Sequence, residues 1–301
     1  MNLTSITTQL KSTQNLQRII GALELTSSIK FQKLLSQSAF FRSFLREYLW
    51  VLGKIQGKIA LWDGIFETFA IEKKRLIIVI STEKGFVGGL NTKLFSVIES
   101  TYGSRKSTVD LFVLGRKAEA YFQKNGWNVV ASLYLWENVS SEAFVELYQY
   151  IQQAIQLEKY TKIKIYFTYY QNSLFQRPIK FTVFPITREN FTHFLQAVGL
   201  EFPETSLEDL QGGEDELVIE PDIQAYKQYI FQYLMESIVY YSVINAKLSE
   251  YQMRITHMKN AKDNSKELEK KLQHQQQKLR QATITAEISD IVGGRILEKK
   301  F

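Results

Sequence analysis

The sequence predicts an α/β fold flanked by two long helices. Three observations carry that expectation. There are only four prolines in 301 residues, at 178, 185, 203 and 221, so neither the first 177 residues nor the last 80 contain one. Near both ends apolar residues recur at steps of three and four. Between the ends, short apolar runs alternate with amphipathic stretches, the pattern of a mostly parallel sheet covered on its faces.

The N-terminal segment runs from Asn2 to about Thr68. Leu3, Ile6 and Leu10, then Leu16, Ile19, Ile20 and Leu23, then Ile29, Leu34 and Leu35 keep the helical period. Each glycine inside a helix costs roughly 1 kcal/mol. Gly53, Gly57 and Gly64 therefore mark fraying or a bend, and the segment (1–68 as a unit) reads as one very long helix with a break in that region.

The central α/β segment covers 72–200. RLIIVIST (75–82), VDLFVLG (109–115), WNVVASLYL (127–135), KIKIYFTYY (162–170) and IKFTVFPI (179–186) are its strand candidates. Asn91 to Tyr102, Arg116 to Lys124 and Ser140 to Leu157 are its helices. Pro185 places the fifth strand at a sheet edge, because proline cannot donate to a ladder. Residues 201–220, EFPETSLEDLQGGEDELVIE, hold eight acids and no base and read as a solvated acidic linker.

The C-terminal segment, 221–301, opens on Pro221, which suits the first position of a helix. No breaker follows before Gly293 and Gly294. Tyr241, Ile244, Leu248, Tyr251, Ile255 and Met258 form a heptad seam. It weakens past Ala261 and Ser265 and is expected to resume at Leu268, Leu272 and Leu279. Some 70 helical residues would span roughly 105 Å, so the helix should protrude and needs a partner for its seam. The N-terminal helix is the available one. Its lysines and arginines, from Lys247 to Arg280, fit either a solvated surface with i,i+4 pairs (Asp263 to Glu267 beside Lys262 to Lys266) or acidic loops of a surrounding partner.

Composition excludes several classes of chemistry. The chain has no cysteine, which removes disulfides and thiolate sites. His193, His257 and His274 lie far apart, without the spacing of a histidine metal site. A net charge of +6 indicates an acidic partner surface and is weak support for nucleic acid. No run of 18 uncharged apolar residues occurs, and neither a secretory signal nor an Arg-rich transit pattern is visible at the start. The expectation is a cytoplasmic protein.

STEKGFVGGLN (81–91) resembles a phosphate loop, because glycines follow a strand and precede a helix. Gly85, Gly88 and Gly89 are spaced G-x-x-G-G, with Leu90 next. That fits neither G-x-x-x-x-G-K-[ST] nor G-x-G-x-x-G. Lys93 stands four residues past the last glycine with no hydroxyl beside it. A sharp strand-to-helix turn is the simpler reading, with Asn91 capping the helix. Glu83 and Lys84 form a lone charged pair without a second carboxylate or histidine for acid–base work.

RQATITAEISDIVGG (280–294) resembles the C-terminal signature of the gamma subunit of F-type ATP synthases. RITHMKNAKDNSKEL (254–268), STEKGFVGGLN, and ITTQLKSTQNLQRIIGALELTSSIKF (6–31) resemble further segments of that family, in family order. The resemblance implies a central rotary shaft: an antiparallel coiled coil of the two terminal helices, with a Rossmann-like α/β domain outside a ring of alternating alpha and beta subunits. ATP chemistry would occur on the ring, so this chain would be non-catalytic and need no cofactor. Ring contacts would be Leu23, Arg254, Arg280, Gln281 and Thr285. Gly85, Gly88, Gly89 and Asn91, with Glu220-Pro221, would belong to the foot. An epsilon-like subunit and a membrane proton ring would be further partners, placing the complex on the inner face of the plasma membrane. Thr7 and Gln9 replace the family's usual basic pair, Val87 its cysteine, and RILEKKF its small apolar tail. Such departures are similar to those of a repurposed copy, like the mollicute F-type-like ATPases, one of them used in gliding. The alternatives are a nucleotide-binding α/β enzyme and a coiled-coil scaffold without a motor.

Overall fold

The computed structural model describes residues 2–56, 62, 74–134, 141–201, 220 and 222–298. Two helices enclose the chain's order: α1 (Leu3–Gln56) and α6 (Ile223–Glu298). Between them come β1 (Arg75–Ile80), α2 (Leu90–Tyr102), β2 (Val109–Leu114), α3 (Arg116–Lys124), β3 (Val129–Leu133), α4 (Ser141–Gln156), β4 (Lys162–Tyr170), β5 (Gln176–Phe184) and α5 (Arg188–Val198). A 3-10 turn over Gly103–Thr108 joins α2 to β2.

The strands form one sheet in the order β3-β2-β1-β4-β5. β3, β2, β1 and β4 are parallel, which requires a crossover between each pair in sequence. β5 is antiparallel to β4 and lies at the edge. The fifth strand is therefore at an edge as expected, but it begins at Gln176 and ends before Pro185. β1 and β2 are buried on both faces, which explains their unbroken apolar runs.

One face packs on α2 and α3 through Ile77, Val79, Leu94, Ile98, Ala118 and Phe122. The other packs on α4, α5, the C-terminal half of α1 and the N-terminal half of α6. Leu76, Ile78, Ile165, Leu147, Phe194 and Leu234 are among its fully buried residues. Helix α5 has no counterpart in the sequence reading. Its signals are short: Thr187 caps it by accepting the Asn190 N–H, and Gly199 closes it in the left-handed region at φ 75°.

Compact packing divides the chain across the long helices. One unit holds residues 1–29 and 254–301, the other 30–253. In the first unit α1 and α6 run antiparallel. Gln276 bonds Thr7, Gln14 and Gln17 both donate to Glu269, and Lys262 pairs with Glu24 at 2.9 Å. Ile6, Thr13, Ile20 and Ser27 of α1 are buried at seven-residue steps, as are Met258, Ser265 and Leu272 of α6. The seam therefore runs straight through Ser265 rather than pausing there. Leu268, expected to resume it, is 49% exposed, while Leu272 is buried at 5%.

Other residues of the N-terminal pattern leave the seam in the same way. Leu16, Ile19, Ile29 and Leu35 are exposed. A strict heptad buries a narrow stripe, so apolar residues at other helical positions face outward. The lysine pairs also differ from the expected ones. Lys271 pairs with Glu267 at 2.7 Å and Lys266 meets Asp263 at 4.0 Å, while Lys262 reaches across to α1.

Candidate functional site

In parallel α/β sheets, ligands bind at the carboxyl ends of the strands where the strand order reverses. Here that point lies between β1 and β4, and the loop after β1 is the glycine stretch 81–89. Most of its polar groups are satisfied internally; the buried Glu83 Oε1, which has no hydrogen-bond partner among the described residues, is the exception. Ser81 Oγ donates to the Leu114 carbonyl and accepts the Ala118 N–H, both at 3.0 Å. Glu83 accepts the Arg116 N–H at the head of α3 and pairs with the Arg116 guanidinium at 3.9 Å. A carboxylate of this chain thus occupies the place an anion would take at that helix N-terminus.

Asn91 does not cap α2. The helix opens one residue earlier, with Gly89 at the cap position and no side-chain cap. Asn91 instead ties the helix back to the strand end: it accepts the Thr82 N–H at 3.2 Å and donates to Thr82 Oγ1 at 2.8 Å. Gly88 takes φ 56°, whereas a Cβ at Gly85 or Gly89 would meet nothing within 4 Å. Two of the three glycines are therefore not demanded by space.

α6 closes the crevice from the β4 side. Asn245 Oδ1 accepts the Tyr170 N–H at 2.7 Å, and Ser249 Oγ donates to the Thr168 carbonyl at 2.8 Å. The remaining cavity, lined by Gly89, Leu90, Lys93, Thr168, Pro178 and Met253, holds about 50 Å³. Small-molecule sites run from about 300 to 1,000 Å³, so this one admits a water or two and not a nucleotide. The loop acts as a structural turn.

The five residues expected to touch a ring lie on the coiled-coil unit. Arg280, Gln281 and Thr285 are exposed, and Leu23 is 38% exposed. Thr285 Oγ1 donates to the Gln281 carbonyl at 2.9 Å, one turn back. Arg254 is buried at 7% exposure, so it differs from the other four. Glu220 is exposed, and Pro221 lies outside the described residues, as does most of the acidic linker.

Seven large apolar residues that the sequence reading did not assign outward surround these positions. On α1, Leu16 and Ile19 stand in line with Leu23 at steps of three and four, and Leu25 and Ile29 lie on another side; all five are at least 38% exposed. On α6, Ile284, Ile288 and Ile291 form a stripe beside Gln281 and Thr285, exposed by 44%, 57% and 61%. By its pairing with Thr7 at Gln276, α6 runs on past the start of α1, so this stripe is on a single helix. Their signal was present in the sequence as apolar residues off the heptad. No described helix is long and apolar enough to cross a membrane.

Known proteins share this arrangement. The family model for ATP synthase matches residues 2–295. The ATP synthase gamma chain of Staphylococcus saprophyticus is 28% identical over 302 residues, covering 98% of each chain. That of Stenotrophomonas maltophilia strain R551-3 is 26% identical over 294 residues, covering 96% of each. Among solved structures, a chain of the Euglena gracilis mitochondrial ATP synthase (OSCP/F1/c-ring, rotational state 3) superposes with a TM-score of 0.60 at 16% identity, covering 98% of this chain and 93% of that one. A chain of the Tetrahymena thermophila mitochondrial ATP synthase central stalk and c-ring gives 0.58 at 18% identity, covering 81% and 99%. The structural likenesses concern the fold; with a model match across almost the entire length, the chain belongs to the ATP synthase gamma-chain family.

Proposed function

We propose that this chain is the central rotary shaft of an F-type ATPase, coupling rotation to ATP synthesis or hydrolysis on surrounding alpha- and beta-like subunits. The observation that carries this reading is the family match across residues 2–295, and the exposed apolar stripe of Ile284, Ile288 and Ile291 on α6, next to Gln281 and Thr285, is a surface that fits it. A helix in water keeps such a face covered, and a partner that encloses the helix end would cover it from all sides. The chain itself is non-catalytic in this reading. Each shaft angle favours one conformation of each ring subunit through differential contact, so rotation and chemistry are coupled.

The contacts with the ring are Leu23, Arg254, Arg280, Gln281 and Thr285, and the foot includes Gly85, Gly88, Gly89, Asn91 and the Glu220-Pro221 pair. An epsilon-like subunit and a membrane proton ring bind at the foot, which puts the complex at the inner face of the plasma membrane. The tail RILEKKF (295–301), charged where the family has small apolar residues, favours a second reading. There the shaft turns another load, as in a mollicute gliding motor. Mass spectrometry of the intact native assembly tests both readings. A hexamer of ATPase subunits around one copy of this chain is the expected result, and its absence refutes the shaft. The proteins at the foot then separate a proton ring from another load.

A further inference from the structure

The sheet-bearing unit contains a second cavity, of about 440 Å³, where α1, α4 and α6 meet. Its walls are aromatic. Phe41 and Phe144 each meet the Tyr240 ring, at 5.3 and 5.6 Å between centroids, and Phe44 meets Tyr233 at 6.0 Å. Phe40 stands at the mouth, 75% exposed, beside Phe44 at 47%. One charged group lines this space: Glu236 of α6.

Glu236 is half-buried, and it makes no ion pair or side-chain hydrogen bond with any described residue. One turn away on either side, α6 offers Gln232, Tyr233, Val239 and Tyr240, none of them basic. Burial raises its pKa, the cost of holding a carboxylate among rings without a counter-ion. Aromatic faces and a carboxylate attract the same kind of group, a cation, by quadrupole and by charge. The rim adds to this. Glu47 lies on the stripe of Phe40 and Phe44, at steps of four and three, and is exposed.

We propose that this groove docks a partner protein by receiving a lysine or arginine side chain, flanked by apolar residues, with Glu236 as its counter-ion. A small organic cation would fill the cavity yet leave Phe40 and Phe44 in water. A protein surface covers them, and exposed aromatic rims around a desolvated charge pair are a common form of binding hot spot. The volume, within the range of binding pockets, accommodates a long basic side chain and part of its neighbours. The site does not depend on the ring contacts at the helix ends, so either can fail without the other.

The test places a photo-crosslinking phenylalanine analogue at position 40 of the full chain in its native assembly, with mass spectrometry locating the crosslink. The expected product joins one partner protein within about four residues of a lysine or arginine, one helical turn. Glu236→Gln should lower the crosslink yield about ten-fold while circular dichroism of the chain stays unchanged. If that variant does not assemble, neutralising the crosslinked base on the partner should produce the same drop. Crosslinks to lipid, to a second copy of this chain or to a segment without a base overturn the proposal. So do the absence of any protein crosslink and a yield that neither neutralisation alters.

Discussion

Gly115, unremarked beside the glycine-rich stretch in the sequence, is the more constrained position. It takes φ 100°, and a Cβ there would lie 2.7 Å from the Ser81 carbonyl oxygen. Gly115→Ala should destabilise the chain by about 1–3 kcal/mol from its backbone conformation alone. Gly89→Ala should stay within about 0.5 kcal/mol, since nothing crowds that site. Thermal melts of the two variants check the contrast; a large loss at Gly89 would restore a tight functional cradle there. Asp110 has a comparable hidden role. Burial alone would raise its carboxyl, but hydrogen bonds from Lys74, Asn128 and Tyr160 reverse that and hold it below the usual carboxylate range. A lowered folded pKa gives stability that is fully present above the unfolded value, about 3.9, and lost as pH falls through the folded one. Asp110→Ala also takes the carboxylate acceptor from the buried Tyr160 hydroxyl, for a total of about 1–3 kcal/mol. Denaturant titrations should show that deficit at pH 7 and a smaller one below about pH 4. A deficit independent of pH would mean the carboxylate charge contributes nothing.

At the scale of elements, periodicity made the long helices and the strand candidates legible, and its weaknesses account for the errors. Leu268 and Leu272 look alike in a list of apolar positions spaced by three and four. Only the partner helix decides between them, and it buries Leu272 to 5% while leaving Leu268 at 49%. Ser265 looked like a gap because hydroxyls are poor seam residues, yet the heptad carries it inside, where its Oγ has no hydrogen-bond partner. Asn91 followed three nearby glycines and so resembled a cap, but the strand end at Thr82 captured both ends of its amide. Helix α5 is short, and its Thr187 and Gly199 signals are easily passed over between two prolines. The register of the coiled coil can be tested through these residues. Leu272→Ala should cost about 2–5 kcal/mol as a core truncation, and Leu268→Ala almost nothing. Ser265→Ala should raise stability by up to about 1–3 kcal/mol by removing an unpaired buried hydroxyl. Equal losses at 268 and 272 would mean that both leucines lie in the seam.

For the whole molecule, the sequence motifs marked positions, and the structure adds what surrounds them. Gln281 and Thr285 stand on one exposed side of α6 together with Ile284, Ile288 and Ile291. If that side works inside a ring, its polar members serve coupling and its apolar members serve seating, and the two can be separated. Gln281→Ala with Thr285→Ala removes hydrogen-bonding groups that, among the described residues, make a back-bond within the helix. Alanine is the better helix former, so the chain should melt no lower than before. A lost coupling interaction of roughly 1–3 kcal/mol corresponds to about five-fold or more. ATPase turnover of the assembled complex should fall by about that factor, with the complex intact by size-exclusion chromatography. Ile284→Ser with Ile288→Ser should act differently: assembly should weaken, because apolar area that the ring covers is removed, while the free chain is little changed. If turnover is unchanged in the first variant, Gln281 and Thr285 leave the coupling path. If the second variant assembles as tightly as the original, the stripe is not seated in a ring.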